Sequence, residues 1–305
     1  MDTIARAADG LRFIDHYRHH DAYRLSFNRL AHRVFGIDFE RWYQGGYWGD
    51  SYRCHSIAAD GDIVANVSVS RMLLSTPNGG TDVPALQIGT VMTHPDWRGR
   101  GLSGQLMERV LELYSPEGAA IFLFANERVL DFYPKYGFRR VAECRYACAA
   151  AAFGPRSPME WRSLDMDIAA DRELAYRLAQ NRVPVSRSFA ASGGAGLVMW
   201  YFLNVLSGGL LYAEEAETIV ACELEGTELH VYDIVSARED GWERVVAAVM
   251  PAAAERVVFH FTPDRLLDGP ALANASAAAA DSLLFVRGDW PLPDGAFQYP
   301  LTAQT

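Results

Sequence analysis

The stretch LQIGTVMTHP (residues 86–95), followed by DWRGRGLSGQLMERVLELY (residues 96–114), decides the fold of this chain. Its first part is a short apolar run that ends at Pro95, which is typical of a β-strand. The sequence therefore predicts a strand, a glycine-rich loop and a helix, in that order. The helix is predicted because apolar residues recur at helical spacing, namely Leu102, Leu106, Val110, Leu111 and Leu113.

The loop combines small residues with positive charge. Gly99, Gly101 and Gly104 allow the backbone to approach a bulky anion closely. The start of the helix directs backbone N–H groups and partial positive charge to the same point. Arg98 and Arg100 add full positive charges. These features together indicate a binding site for a phosphate or pyrophosphate group.

Two familiar phosphate-binding motifs do not account for this loop. It is not a P-loop, because no Gly-Lys-Ser/Thr follows the glycines. Gly99, Gly101 and Gly104 match the letters of G-x-G-x-x-G, the dinucleotide-binding fingerprint. That fingerprint also requires an acidic residue at the end of a second βαβ strand, and none follows in this context.

Three blocks of sequence resemble a known family. Residues 98–103 (RGRGLS) resemble the Arg/Gln-x-x-Gly-x-Gly/Ala signature of the GCN5-related N-acetyltransferases (GNAT family). Residues 89–95 before this block, and Asn126 with residues 132–138 (FYPKYGF) after it, resemble the flanking motifs of the family in the same order. Ser103 stands where Gly or Ala is usual, and its small side chain is compatible with the pyrophosphate cradle.

The resemblance implies an α+β fold with a mixed β-sheet flanked by helices, the acyl-CoA N-acyltransferase fold. Residues 22–146 also resemble a two-domain bacterial branch of the family. Acetyl-CoA is the implied co-substrate, and the amine of a small molecule or peptide is the implied acceptor. The residues implied to bind acetyl-CoA are Val91, Met92, Thr93, Arg98, Gly99, Arg100, Gly101, Leu102, Ser103, Gly104 and Asn126.

Acetyl transfer to an amine also requires proton transfer. Tyr133 matches the tyrosine that protonates the leaving thiolate in the family, and an ordinary tyrosine with a pKa near ~10 is protonated at neutral pH. No general base is assigned from the sequence. Glu40, Asp50 and His55 are candidates by location only, and a chain of water molecules is the alternative.

The first half of the chain shows several further patterns. Apolar residues at helical spacing predict a helix over residues 9–35 that ends at Gly36, with His16, His19 and His20 on one solvated face rather than in a metal site. Residues 37–53 are rich in aromatic side chains, which suits either an acceptor pocket or a packed apolar corner.

The remaining elements of the first half are mainly strands. Residues 54–75 predict a hairpin that turns at Asp60 and Gly61. A strand over residues 119–125 and a short helix from Asn126 to near Pro134 follow. Residues 138–147 predict one more strand of the same sheet.

The second half begins after a boundary in residues 148–158, where periodicity is lost. We expect residues 1–150 to form the acetyltransferase domain. A helix over residues 171–180 and a strand–strand–helix–strand pattern from Thr218 predict a smaller second α/β domain over residues 155–305, which resembles a degenerate GNAT-like half. It has no Arg-x-x-Gly-x-Gly/Ala block, so we expect it to bind no acyl-CoA.

Composition narrows the class of protein. A chain of 305 residues can form two domains, and its net charge of -10 argues against nucleic acid as a general partner. No apolar run reaches roughly 18 residues, so we expect no membrane partner. The first ten residues lack a signal-peptide pattern, and the four cysteines form no C-x-x-C pair, which predicts reduced thiols and a cytoplasmic location.

Three functional hypotheses remain open at this point. The first is an acetyl-CoA-dependent N-acetyltransferase. The second is a non-catalytic protein that binds or senses acyl-CoA. The third is an enzyme that transfers a longer acyl group, which needs extra room beside Val91 and Met92.

Overall fold

The computed structural model describes residues 5–6, 10–75, 82–155, 158–267, 276–277, 282–290 and 296–305. The sequence TPNGGTDVP at residues 76–84 predicts a second turn or loop, and this segment lies largely outside the described residues. Among the described residues, no helix combines the length and apolar character needed to cross a membrane. The helices are α1 (Asp21–Phe35), α2 (Glu40–Gln44), α3 (Leu102–Tyr114), α4 (Ala169–Asn181), α5 (Ala195–Asn204) and α6 (Trp242–Val249).

The strands form two mixed sheets, which confirms the predicted α+β fold class. The strands are β1 (Ala5–Arg6), β2 (Arg12–Asp15), β3 (Tyr52–Ala59), β4 (Asp62–Ser75), β5 (Val83–Thr93), β6 (Ala120–Asn126), β7 (Arg139–Arg140), β8 (Cys144–Ala149), β9 (Arg162–Ser163), β10 (Ala190–Ser192), β11 (Leu210–Ala213), β12 (Thr218–Glu225), β13 (Glu228–Ser236), β14 (Arg256–Phe259), β15 (Ser276–Ala277) and β16 (Ser282–Arg287).

The first sheet has the order β1-β2-β3-β4-β5-β6-β16-β7, and β10 pairs with β4. Its described pairings are antiparallel except for β5 with β6, which α3 connects. The predicted hairpin is confirmed, because β3 and β4 meet at Asp60 and Gly61, which both have positive φ. The apolar face of α3 packs on this sheet through Leu106, Met107 and Val110, which are fully buried.

The N-terminal region differs from the predicted helix over residues 9–35. Only α1 is helical, and Arg12–Asp15 instead forms strand β2 against β3. Phe13 packs in the core with α3 while its neighbour Ile14 packs in the core with α1, so the side chains alternate as in a strand. Gly36 ends α1 with φ 73°, as predicted.

The three histidines do not share a helix face, which corrects the sequence interpretation. His16 has φ 57° and lies with His19 before α1. His20 is the N-cap of α1, because its side chain accepts a hydrogen bond from the Tyr23 N–H. Within the described residues, no group of three or more His, Cys, Asp or Glu could hold a metal ion.

The aromatic stretch at residues 37–53 forms a packed apolar corner. Phe39, Trp42 and Trp48 pack against one another with ring centroids 5.6–6.1 Å apart, and all are buried. The indole N–H of Trp42 donates to the carbonyl oxygen of Gly196 in α5 at 2.5 Å. The corner therefore joins the first half of the chain to the second.

The predicted strand over residues 138–147 is two strands in different sheets. β7 lies in the first sheet beside β16, whereas β8 lies in the second sheet. β16, from the C-terminal part of the chain, pairs with β6 over its whole length. Each sheet therefore contains a strand from the other side of the predicted boundary at residues 148–158.

The second sheet has the order β15-β8-β14-β13-β12-β11-β9. The predicted strands near residues 218–236 and the helix α6 are present. β13 and β14 are parallel and are joined by α6, whereas the other described pairings are antiparallel. Among the described pairings, each sheet thus contains one parallel pair connected by one helix.

Candidate active site

Strands β5 and β6 separate in the middle of the first sheet. They pair in parallel only as far as Ile88 and Leu123. Both strands continue beyond these residues, to Thr93 and Asn126, without pairing to each other. The backbone groups on this edge of β5 are thus available to an extended polar ligand.

A cavity of about 800 Å³ opens where the two strands separate, and we call it the main cleft. Strand β5, the glycine-rich loop, the end of β6 and the end of α1 form its walls. Its lining consists of Val34, Phe35, Ile37, Ile88, Gly89, Thr90, Val91, Met92, Thr93, Trp97, Arg98, Gly99, Gly101, Leu102, Ser103, Gly104, Phe124, Asn126, Arg128, Val129, Phe132, Tyr133 and Thr305.

A bulge distorts β5 at the inner end of the main cleft. The register of β4 against β5 shifts between Asn66 and Ser68. Thr90 lies in this shift with φ 47°, which is a strained conformation for a β-branched residue. The Asn66 side-chain amide donates to the Thr90 carbonyl oxygen at 2.9 Å and stabilises the bulge.

The glycine-rich loop forms the outer end of the main cleft. Gly99 and Gly101 both have φ 75°, a conformation that favours glycine. Gly101 is the N-cap of α3, so the helix starts at the cleft and its first backbone N–H groups point toward it. The Ser103 hydroxyl lies 2.7 Å from the Thr93 hydroxyl and ties the helix to β5.

The two arginines of the loop have different surroundings. Arg98 lines the main cleft, and its Nε donates to the carbonyl oxygen of Thr93 at 3.4 Å. Arg100 does not belong to the lining. Its guanidinium lies 4.5 Å from the ring centroid of Trp97 and donates to the Asp96 carbonyl oxygen at 3.3 Å. Of the residues predicted to bind acetyl-CoA, Arg100 alone lies away from the cleft wall.

Asn126 and Tyr133 face the loop across the main cleft. The Asn126 side chain accepts a hydrogen bond from the Arg128 N–H at 3.1 Å and caps the turn Glu127–Val129. A second short turn, Tyr133–Tyr136, contains Pro134, so the predicted single helix is two 3-10 turns. Burial raises the pKa of Tyr133 to about 12, which keeps its hydroxyl protonated.

The candidate bases do not line the main cleft. Glu40 accepts hydrogen bonds from Arg24 at 3.1 and 3.3 Å, and Asp50 pairs with Arg18 at 2.9 Å. His55 is buried on the other side of β3, between Asp15 at 2.7 Å and the Tyr114 hydroxyl at 3.0 Å. Among the described lining residues, the main cleft has no Asp, Glu, His or Lys.

This geometry agrees with a comparison against protein families. The family model described as the acetyltransferase (GNAT) domain matches residues 18–141. This part of the chain is a GNAT acetyltransferase domain. The match includes the loop, the bulge and Tyr133, so the resemblance predicted from the three sequence blocks is confirmed. A search of curated proteins gives no match.

Solved structures of GNAT proteins share the fold over most of the chain. A conserved protein of unknown function from Enterococcus faecalis V583 has a TM-score of 0.60 at 13% identity, over 91% of this chain and 72% of that chain. Eis1 from Mycobacterium abscessus has a TM-score of 0.56 at 14% identity, over 91% and 72%. A GCN5-related N-acetyltransferase from Kribbella flavida has a TM-score of 0.55 at 20% identity, over 91% and 71%.

Sequence reasoning did not single out Thr90 or Thr305, which also line the main cleft. Thr90 has no local signal, because its bulge depends on the pairing with β4. Thr305 lines the cleft beside Gly89, where a Cβ atom would lie 2.9 Å from the main-chain carbon of Thr305. A glycine inside a predicted strand often marks such a close approach, so Gly89 was the available signal.

Proposed function

We propose that this chain is an N-acetyltransferase that moves an acetyl group from acetyl-CoA to the amine of a small molecule or peptide. The observation that carries the proposal is the position of the main cleft. It places the free edge of β5, the N-terminus of α3 and Tyr133 around one cavity. A phosphate-binding end, a strand edge and a proton donor are the three parts that an acyl-CoA reaction needs.

The outer end of the main cleft suits the pyrophosphate of the coenzyme. Gly99 and Gly101 bring the backbone close to the ligand, and the N-terminus of α3 supplies donors and partial positive charge. Arg98 adds a charge-assisted hydrogen bond. Bound acetyl-CoA would supply the thioester that is attacked. Its pantetheine arm contains amide groups, which fit the unpaired edge formed by Val91, Met92 and Thr93.

The inner end of the main cleft suits the chemical step. Backbone N–H groups at the bulge of β5 can polarise the acetyl carbonyl, because the sheet fixes them in place before the ligand binds. Tyr133 can donate its proton to the leaving thiolate. A thiol has a pKa near ~8.5, well below the pKa of about 12 that burial gives Tyr133, so the hydroxyl is present in its protonated form when the thiolate leaves.

Release of free thiol tests this proposal. The purified protein is mixed with acetyl-CoA and a panel of amines that contains polyamines, aromatic amines, amino acids and peptides with a free N-terminus. We expect thiol release with at least one amine, and Tyr133→Phe should lower the turnover number by about 100-fold with little change in the affinity for acetyl-CoA. Tyr47→Phe removes a hydroxyl outside the cleft and is the control.

The thiol-release assay also distinguishes among the three functional hypotheses. Binding of acetyl-CoA without thiol release on any amine would contradict the enzyme and favour the binding or sensing protein. Faster thiol release from a longer acyl-CoA than from acetyl-CoA would show that the enzyme transfers the longer acyl group. An unchanged rate in Tyr133→Phe would show that Tyr133 is not the proton donor to the leaving thiolate.

A further inference from the structure

The main cleft lies between β5 and β6 and is lined from both faces of the first sheet. Val91 and Met92 are neighbours in β5, and both line the cleft. Val91 packs against the core that contains α3, whereas Met92 lies in the core that contains α1. Successive side chains of a strand point to opposite faces, so α3 and α1 cover opposite faces of this sheet. The cleft therefore has two parts, which we call the α3 half and the α1 half.

The groups that suit the coenzyme belong to the α3 half. Leu102 and Tyr133 lie in the core with α3, and Trp97 packs against the same core. Gly101 is the N-cap of α3, so the glycine-rich loop enters the helix on this face. Acetyl-CoA bound to the loop would fill the α3 half. The acceptor amine would then have to reach the thioester from the α1 half.

The walls of the α1 half are apolar. Val34, from α1, and Ile37, just after it, line the cleft and pack against the core with α1. Phe124 follows Leu123, which lies in the core with α3, so Phe124 points to the α1 face. Phe35 also lines the cleft, and this large apolar side chain is 44% exposed. The α1 half thus presents two aromatic and two branched aliphatic side chains.

The charges around the main cleft suit an acceptor with one amino group. The charged side chains of the described lining are Arg98 and Arg128, which are both cations. Thr305, the last residue of the sequence, adds its main-chain carboxylate beside Gly89. Gly89 follows Ile88, which lies in the core with α3, so Thr305 approaches from the α1 face. One carboxylate can balance one ammonium group, whereas a second ammonium group would be desolvated against apolar walls.

We propose that the α1 half binds the body of the acceptor, and that the acceptor is a monoamine whose amino group is carried on an apolar aliphatic or aromatic group. This inference rests on the proposed acetyltransferase function and narrows it. It selects apolar monoamines from amines in general, and it excludes amines that carry several positive charges.

Phe35 is the residue through which the α1 half would recognise such a body. It is the last residue of α1, because Gly36 ends the helix with φ 73°. Its ring is partly exposed beside the cavity before any ligand binds. An apolar body that covers this ring removes apolar surface of both partners from water, which favours binding. A second ammonium group in the same place would lose its own hydration instead.

The experiment compares amines that differ in one group. Pentylamine and the diamine putrescine have the same length, but pentylamine ends in a methyl group and putrescine in a second ammonium group. Phenethylamine carries an aromatic ring, and hydroxylamine has no body at all. Thiol release from acetyl-CoA, corrected for the uncatalysed reaction, gives kcat/KM for each nucleophile.

The same series is measured for wild type and for two variants of α1. Phe35→Ala removes the exposed ring from the α1 half. Leu25→Ala is the matched control, because Leu25 is an apolar residue of the same helix with a similar exposure of 42% and lies outside the lining of the main cleft. Far-UV circular dichroism checks that both variants fold. If Phe35→Ala does not fold, Ile37→Ala takes its place.

We expect wild type to favour pentylamine and phenethylamine over putrescine by about 10-fold or more in kcat/KM. In Phe35→Ala, kcat/KM for phenethylamine should fall by about 10-fold, mainly through a higher KM, because the ring contact is present before and during the chemical step. The rate with hydroxylamine and the dissociation constant for acetyl-CoA should stay within about twofold. Leu25→Ala should behave as wild type.

Each other outcome overturns a defined claim. Equal rates with putrescine and pentylamine, or a preference for putrescine, would overturn the apolar monoamine. So would thiol release with hydroxylamine but with none of the three amines. A loss in Phe35→Ala that is as large with hydroxylamine, or that Leu25→Ala shares, would overturn the role of the α1 half. Failure of wild type to bind acetyl-CoA, or to release thiol to hydroxylamine, would refute the proposed function itself.

Discussion

The two arginines of the loop make a prediction at the scale of single residues. Arg98 lines the main cleft, whereas Arg100 stacks on Trp97 outside it. We expect Arg98→Ala to weaken acetyl-CoA binding by about 10-fold or more, because a charge-assisted hydrogen bond contributes roughly 1.5–3 kcal/mol. Arg100→Ala should weaken acetyl-CoA binding by less than about threefold. Isothermal titration calorimetry measures both, and equal losses would contradict the difference in position.

The glycine loop was visible in the sequence because its signal is local. The spacing of Gly99 and Gly101 before a helical pattern predicted the loop that we propose to bind phosphate, and both residues have positive φ in the structure. Thr90 and Thr305 could not be found in the same way. Thr90 is placed by its pairing with β4, and Thr305 is placed by packing on Gly89, so neither position follows from neighbouring residues.

At the scale of elements, the connection between β7 and β8 joins the two sheets, and Glu143 lies in it. Its Oε1 accepts a hydrogen bond from the Tyr299 N–H at 2.8 Å. Burial raises the pKa of Glu143 to about 7, and the hydrogen bond from Tyr299 only partly opposes this. At Glu143, the folded state therefore binds more protons than the unfolded chain between about pH 4.5 and pH 7, and this carboxyl lowers stability as pH rises through that window.

Glu143→Gln should remove this pH dependence, because glutamine keeps an acceptor for the Tyr299 N–H and carries no charge. At pH 8 we expect the variant to be more stable than wild type by about 1–3 kcal/mol, whereas at pH 4.5 the two should be nearly equal. Urea unfolding at a series of pH values measures the difference. A variant that is less stable than wild type at pH 8 would contradict the raised pKa.

Elements with local signals agree with the sequence predictions. The apolar spacing of α3 and the turn at Asp60 and Gly61 each lie within one short stretch of chain. β2 was wrongly predicted as helix, because Leu11 and Ile14 fit a helical period although Phe13 and Ile14 pack on opposite faces of the sheet. Residues 12–15 form a strand because they pair with the edge of β3, and the sequence pattern alone does not reveal this pairing.

At the scale of the whole molecule, each sheet contains a strand from the part of the chain that mainly forms the other sheet. β16 lies between β6 and β7 in the first sheet, and β8 lies between β14 and β15 in the second. Residues 282–287 (SLLFVR) read as a strand in the sequence, as residues 138–147 do, but such a pattern does not identify the partner strand. The assignment of residues 1–150 and 155–305 to two domains, the second a degenerate GNAT-like half, remains our proposal. The β13–α6–β14 unit supports it, because it repeats the arrangement of β5–α3–β6.

Because β16 lies in the first sheet and β8 in the second, we expect the two sheets to unfold together. Phe285 in β16 is 4% exposed and packs with Tyr133, so Phe285→Ala should destabilise the first sheet by about 3 kcal/mol. We expect the unfolding transitions followed by far-UV circular dichroism and by tryptophan fluorescence to shift together, because the seven tryptophans are distributed over the apolar cores of both sheets. Leu224→Ala, at an exposed site, is the control and should cost less than about 0.5 kcal/mol. Two separate transitions would contradict the coupling.

Calorimetric titration with acetyl-CoA tests the central claim, that the main cleft binds an acyl-CoA through its glycine loop. Wild type is compared with Gly101→Val and with Gly118→Val, whose glycines have φ 75° and 69° at opposite ends of α3. The account predicts one binding site per chain, a loss of about tenfold or more in Gly101→Val, and no change in Gly118→Val. Absence of binding to wild type, or equal losses in both variants, would contradict it.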